Sequence, residues 1–205
     1  MPFINRRLIL AALSVVALAA CSKGGGSATA DGMSMGDPNA KVSVTEFASA
    51  SCPHCARFNN DVFPEFKKKY IDTGKVHYTF REFLTPPVQV AAAGFLLARC
   101  AGKDKYFPVL DAVFRSQDEM FANGDTSNVR PVLLRIARSV GMSEDQFTAC
   151  ITDEKALKAL NDRVQTAINK DKIEATPTFF INGKKWKEGE VTLADLDGAL
   201  QPLLK

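Results

Sequence analysis

The stretch Lys41-Val42-Ser43-Val44-Thr45-Glu46-Phe47-Ala48-Ser49-Ala50-Ser51-Cys52-Pro53-His54-Cys55 passes from a strand pattern into the start of a helix. Val42, Val44 and the β-branched Thr45 read as a strand over Lys41 to Phe47, and Ala48 to Ser51 read as a short loop. Pro53 suits the first turn of a helix, where a missing N–H costs nothing, and Phe58, Val62, Phe63 and Phe66 carry an apolar stripe to about Tyr70. Pro64 should kink this helix. Asp72-Thr73-Gly74 ends it, and Lys75 to Leu84 alternates as a second strand through Val76, Tyr78, Phe80 and Phe83. Strand, helix, strand is the unit that begins many α/β folds.

This placement decides the chemistry of the two cysteines. A sulfur at a helix N-terminus meets unpaired N–H groups and the positive end of the helix dipole, which favour thiolate. Thiolate is the attacking and leaving species in disulfide exchange. Cys52 is therefore expected to be exposed and acidic, with Cys55, one turn on, as its buried resolving partner. His54 can add a donor or a positive charge beside the Cys52 sulfur. Stabilising the thiolate stabilises the reduced form, so the disulfide form becomes a stronger oxidant. The alternatives are half of a zinc site or a pair of inert buried thiols. Zinc normally takes four ligands, and only His77 and the distant Cys100 and Cys150 remain, so neither a metal nor another cofactor is expected.

Downstream of Pro86-Pro87 the periodicity is helical to about Lys172. Val88 to Cys100, Tyr106 to Arg115, Val129 to Val140, Ser143 to Ile151 and Glu154 to Lys170 each carry apolar residues three and four apart. Thr178 to Ile181 then reads as a strand, Asn182-Gly183 as a type I′ turn and Lys184 to Lys187 as the return strand. Thr192 caps a final helix through Leu196 and Leu200.

Upstream, Arg6 and Arg7 followed by the apolar run Leu8 to Ala19 read as an export signal, too short to span a bilayer comfortably. Leu18-Ala19-Ala20-Cys21 resembles a bacterial lipobox, which would make Cys21 the lipid-bearing mature N-terminus. Cleavage at Ala17-Leu18-Ala19 without lipid, an uncleaved anchor and a twin-arginine signal are the alternatives. The Gly-, Ser-, Ala- and Asp-rich segment that follows reads as a tether. The expected organisation is thus 1–20 signal peptide, 21–39 flexible tether, 40–85 with 172–205 one α/β domain, and 86–171 a helical insertion.

With 205 residues and 46% hydrophobic content the chain supports one core, with or without a satellite of packed helices. Without Arg6 and Arg7 its 26 basic residues fall to 24 against 23 acidic ones, which argues for neither nucleic acid nor a polybasic membrane patch. Five cysteines less Cys21 leave four, enough for two pairs in an oxidising compartment.

The chain resembles the DsbA-like family of exported thioredoxin-fold proteins. The resemblance spans about residues 41–205. It rests on Glu46-Phe47 before the first cysteine, the Cys52-Pro53-His54-Cys55 motif, the helical stretch after the second strand, and Ala175-Thr176-Pro177-Thr178-Phe179 before the closing hairpin. It implies an α/β, thioredoxin-like fold with an inserted helical domain, and a protein-disulfide oxidoreductase of the bacterial periplasm or envelope. Cys52 would be the nucleophile, Cys55 the resolving cysteine and Pro177 a cis-proline facing them, with the Thr176 backbone offered to a substrate peptide. Glu46 would be a buried acid serving Cys55, although strand alternation also allows it to face solvent. His77, among aromatics on a strand, reads as structural. Cys100 and Cys150 would form a structural disulfide or remain buried thiols.

The implied activity is donation of the Cys52–Cys55 disulfide to reduced or unfolded exported proteins, with reoxidation by a DsbB-like membrane quinone reductase. The chain would act as a monomer, held at the membrane if Cys21 is lipidated. Thr176 dissents on direction, because many strong oxidases of the family have valine there and several isomerases and reductases have threonine. A reductase or isomerase of the same fold is the runner-up. A tethered metal-binding or holdase protein is the alternative from another class.

Overall fold

A computed structural model describes residues 27–28 and 32–205. The expected signal peptide, the lipid-bearing Cys21 and most of the expected tether lie outside these residues. The described strands are β1 (Ser27–Ala28), β2 (Met33–Met35), β3 (Val42–Ala48), β4 (Val76–Glu82), β5 (Thr178–Ile181) and β6 (Lys184–Glu188), in the spatial order β1-β2-β4-β3-β5-β6. β3 and β4 are parallel and the other neighbours antiparallel. A parallel pair needs a crossover. Here it is the helical arm that starts at the cysteines: α1 (Pro53–Arg57), a π-helical turn (Phe58–Val62), α2 (Phe63–Phe66) and a second π-helical turn (Lys67–Ile71).

The kink expected at Pro64 takes the form of the widened turn ahead of it. Pro64 has no N–H to donate and its ring crowds the carbonyl four residues back. The Phe63 N–H accordingly reaches five residues back, to the Phe58 carbonyl. The arm then lies on the sheet face formed by Val44, Glu46, Tyr78, Phe80 and Phe179, with Phe58 against Phe179 at 4.8 Å and Phe63 against Tyr78 at 5.0 Å between ring centroids. These strand residues are almost fully buried. Each large apolar side chain removed from water there contributes about 1.5–3 kcal/mol.

One boundary needs correction. Residues 21–39 are not tether throughout, because Met33–Met35 pairs with β4, opposite Tyr78, Thr79 and Phe80. Met33 is buried, and the Ser34 and Thr79 hydroxyls bond at 2.9 Å. The composition of the segment concealed this. Three residues suffice because the free edge of β4 supplies a ready ladder of backbone groups, and β2 covers that edge.

Between β4 and β5 run α3 (Val88–Cys100), α4 (Tyr106–Arg115), α5 (Gln117–Met120), α6 (Val129–Ser139), α7 (Glu144–Ile151) and α8 (Glu154–Asn169). Of these, α5 has no counterpart in the helical periodicity. Ser143 caps α7 in a reciprocal capping box with Gln146, and Asp153 caps α8. The helices share one continuous hydrophobic core with the sheet.

They are also bound to the sheet through Glu82, at the end of β4, whose side chain is fully buried. Its carboxylate accepts from Arg99 of α3 at 2.6 Å, Tyr106 of α4 at 3.0 Å and Arg163 of α8 at 2.6 and 2.9 Å. Next to Arg99, Cys100 is disulfide-bonded to Cys150, which ties the end of α3 to α7 with Cα atoms 6.0 Å apart. The closing hairpin turns at Asn182 (φ 48°) and Gly183 (φ 75°), the left-handed pair a type I′ turn requires. The last helix, α9 (Leu193–Leu200), begins in a capping box of Thr192 and Asp195.

Candidate active site

Where β3 ends, the chain turns through Ser49, Ala50 and Ser51 and enters α1 at Cys52. Hydrogen bonds fix this loop from two sides. The Ser51 hydroxyl donates to the Thr85 carbonyl at 2.8 Å, and the Gln117 amide of α5 donates to the carbonyls of Ala50 at 2.8 Å and Cys52 at 3.3 Å. Gln117 is buried. Nothing in its sequence surroundings marks it, because a polar residue between two helices ordinarily faces water.

Cys52 is itself the cap of α1. Its backbone is extended (φ −83°, ψ 121°) and its sulfur accepts from the Cys55 N–H at 3.3 Å, while Pro53, at the first helical position, has no N–H to leave unpaired. The two cysteines are free thiols in this structure. Cys55 is wholly buried and Cys52 only 6% exposed, so the exposed Cys52 expected from the sequence is corrected. What covers it is the loop before β5. The Thr176–Pro177 peptide is cis, and the Thr176 carbonyl lies 3.4 Å from the Cys52 sulfur, accepting from it while it is a thiol. The Thr176 hydroxyl is buried without a partner of its own.

The electrostatics separate the two sulfurs. The Cys52 thiol is lowered to about 6, first by the hydrogen bond from the Cys55 thiol and then by the Thr176 hydroxyl, which is free to donate to the thiolate, and the backbone N–H groups of Cys55 and His54, against the opposing effect of burial. The Cys55 thiol is pushed well up, first by burial, then by its hydrogen bond to Cys52 and repulsion from Cys52 and Glu46. One sulfur is thus a good leaving group and the other holds its proton.

Glu46 points from β3 into the core, not to solvent. Burial raises its carboxyl to about 8, only partly offset by a 2.5 Å hydrogen bond from the Tyr78 hydroxyl. Tyr78, read from the sequence as an apolar strand residue, is therefore a polar partner of the site.

The His54 ring makes no hydrogen bond to the Cys52 sulfur among the described residues. Its Nδ1 meets Glu190 at 2.8 Å and Arg57 at 2.7 Å, and what His54 offers Cys52 is its backbone N–H. His77 lies on β4, on the opposite sheet face from Tyr78, with its buried Nδ1 unpartnered. Cys100 and Cys150 are in the helical region. Among the described residues no three His, Cys, Asp or Glu side chains converge to hold a metal ion.

A strand leading into a Cys-x-x-Cys helix start, faced by a cis-proline loop, defines a thioredoxin-type thiol pair, and the thioredoxin family pattern matches residues 28–201. The chain belongs to the thioredoxin family and, within it, to the DsbA-like proteins. It is similar to Wolbachia pipientis alpha-DsbA1, with 34% sequence identity, a TM-score of 0.75, and coverage of 83% of this chain and 89% of that one. A Rickettsia bellii protein provisionally named a protein-disulfide oxidoreductase is 33% identical over 152 residues, 74% of this chain and 57% of that protein. Disulfide bond formation protein D of Bacillus subtilis is 29% identical over 154 residues, 73% of this chain and 67% of that protein. The chain spans little more than half the length of the Rickettsia relatives it matches.

Proposed function

We propose that this chain is an exported thiol–disulfide oxidoreductase that donates its Cys52–Cys55 disulfide to reduced proteins in the bacterial envelope. The observation that carries this reading is the division of labour between the sulfurs: Cys52 caps the N-terminus of α1 and accepts the Cys55 N–H, which favours its thiolate, while Cys55 is wholly buried and keeps its proton.

In the oxidised form, a substrate thiolate attacks the Cys52 sulfur. The Cys52–Cys55 bond breaks, a substrate–Cys52 disulfide forms, and Cys55 leaves with the electron pair. Burial makes a bare Cys55 thiolate costly, and the neighbouring Glu46, protonated up to about pH 8, is the acid that supplies its proton. A second substrate thiolate then attacks the substrate sulfur, and Cys52 leaves as the stabilised thiolate. Two electrons pass from the substrate dithiol to the pair. Thr176 and the cis Pro177 form the surface against which the substrate backbone is offered to Cys52, and Pro53 keeps the helix start free of an unpaired N–H. Reoxidation falls to a DsbB-like membrane quinone reductase.

Export is supported by Arg6, Arg7 and the apolar run to Ala19, and a lipid anchor by Cys21 in its lipobox context. The Cys100–Cys150 bond is the structural disulfide of an oxidising compartment. Trapping tests the assignment of roles. Cys55→Ser should accumulate mixed disulfides through Cys52 in cells, and accumulation in Cys52→Ser instead would reverse the two roles.

A further inference from the structure

Glu190 lies between β6 and α9, far from the cysteines in sequence, yet its carboxylate closes a triangle at the rim of the site. Its Oε1 is 2.8 Å from His54 Nδ1 and 2.7 Å from Arg57 Nη2, and Arg57 Nη2 is 2.7 Å from His54 Nδ1. The backbone fixes where this carboxylate is aimed. Gly189, in the left-handed region at φ +85°, donates its N–H to the Pro177 carbonyl at 2.8 Å, so Glu190 is carried on a segment pinned to the cis-proline loop.

The triangle cannot be satisfied in all its contacts by one proton state of the ring. A protonated Nδ1 donates to Glu190 and opposes the Arg57 donor, while a bare Nδ1 accepts from Arg57 and opposes the carboxylate. In either state Arg57 and Glu190 attract each other and occupy the nitrogen nearest the backbone. The Nδ1 nitrogen is spent on this pair, and no hydrogen bond joins the ring to the Cys52 sulfur among the described residues. The sulfur is left with the Cys55 thiol and N–H, Thr176 and the His54 backbone N–H.

We propose that Glu190 is a positioning residue that, with Arg57, holds the His54 ring away from the Cys52 sulfur and so restrains the oxidising strength of the pair. Released, the ring can donate an N–H to the Cys52 thiolate. That contact stabilises the reduced form and makes the disulfide a stronger oxidant. The groups facing the triangle and the sulfur are Arg57, Glu190, Cys55 and Glu46. Of these, Glu190 alone comes from the β6–α9 segment. All three members of the triangle are more than half accessible or close to it, so the effect is that of an exposed ion pair, about fivefold at most.

The inference rests on the disulfide-exchange reading, and the test keeps the two apart. The full chain is equilibrated with glutathione, in which protein disulfide and two glutathione thiols give protein dithiol and one glutathione disulfide. Wild type, Glu190→Ala, His54→Ser and the double variant are compared, and the Cys52 thiolate is titrated by its ultraviolet absorbance. Glu190→Ala should shift the equilibrium about threefold to fivefold toward reduced protein and lower the Cys52 titration midpoint. In the His54→Ser background the same substitution should change neither. An unchanged equilibrium, a shift toward oxidised protein, or an equal shift without the ring would each overturn the inference while leaving the exchange reading standing. A wild-type pair that does not exchange with glutathione would overturn both.

Discussion

The Tyr78 hydroxyl donates a 2.5 Å hydrogen bond to the Glu46 carboxylate inside the core, coupling neighbouring strands beside the Cys52–Cys55 pair. The bond favours the charged form, but burial outweighs it and Glu46 titrates near 8 in place of 4.5. A carboxyl raised on folding contributes stability that is fully present below the unfolded value and lost as pH rises through the folded one. Reduced wild type and Glu46→Gln should therefore be equally sensitive to pH below about 4.5, after which wild type falls behind. The deficit should reach about 3 kcal/mol at pH 7 and level off above pH 8. Urea unfolding of the two proteins across this range checks it, and parallel curves throughout would remove Glu46 as the buried acid.

Cys52 works in the opposite sense. Its folded value, about 6 against 9, is depressed by Cys55, Thr176 and the backbone N–H groups at the start of α1. Its contribution to the reduced protein is complete above pH 9 and is lost as pH falls through 6. The stability of the reduced form relative to the oxidised form should accordingly decline on acidification between those values. Thermal unfolding of both forms over that range measures it, with a titration of thiolate absorbance expected to centre near 6.

Glu82 holds three helices to β4 through Arg99, Tyr106 and Arg163. Glu82→Gln leaves two guanidinium groups facing a neutral amide in a buried position, and Arg99 Nη2 already has no partner. Loss of about 3–5 kcal/mol is expected on denaturant unfolding, large enough to expose the helical region as a weak point. A loss under 1 kcal/mol would mean the hydrophobic core alone seats these helices.

The Cys100–Cys150 bond closes a loop of sequence separation 50. Chain entropy alone values such a closure at about 4 kcal/mol. The double variant Cys100→Ala with Cys150→Ala should unfold about 2–4 kcal/mol more easily. Mixed-disulfide formation through Cys52 should persist, because the loop around Cys52 is held by Gln117 and Ser51.

Most of the helices and both central strands are legible in the sequence because their burial is one-sided, and one-sided burial leaves a period. The hairpin at Asn182-Gly183 is legible through left-handed geometry, and Cys52 through its place between strand and helix. What escapes is held by backbone or by long-range contacts. Met33–Met35 is too short for a period and owes its order to the edge of β4. Gln117 is polar but buried because two carbonyls of the Cys52 loop reach it, a fact of tertiary structure. Glu190 and Arg57 read as ordinary surface charges until the fold brings them to His54. Cys52 itself reads as exposed, because the Thr176 loop that covers it is more than a hundred residues away in the chain.

The reduction potential of the Cys52–Cys55 pair, measured against a glutathione buffer, is the most direct test. Disulfide donation as the working direction predicts a potential well above the thioredoxin value of about −270 mV. A potential at or below that value would contradict oxidation as the working direction and assign the chain to the reducing side of the same chemistry.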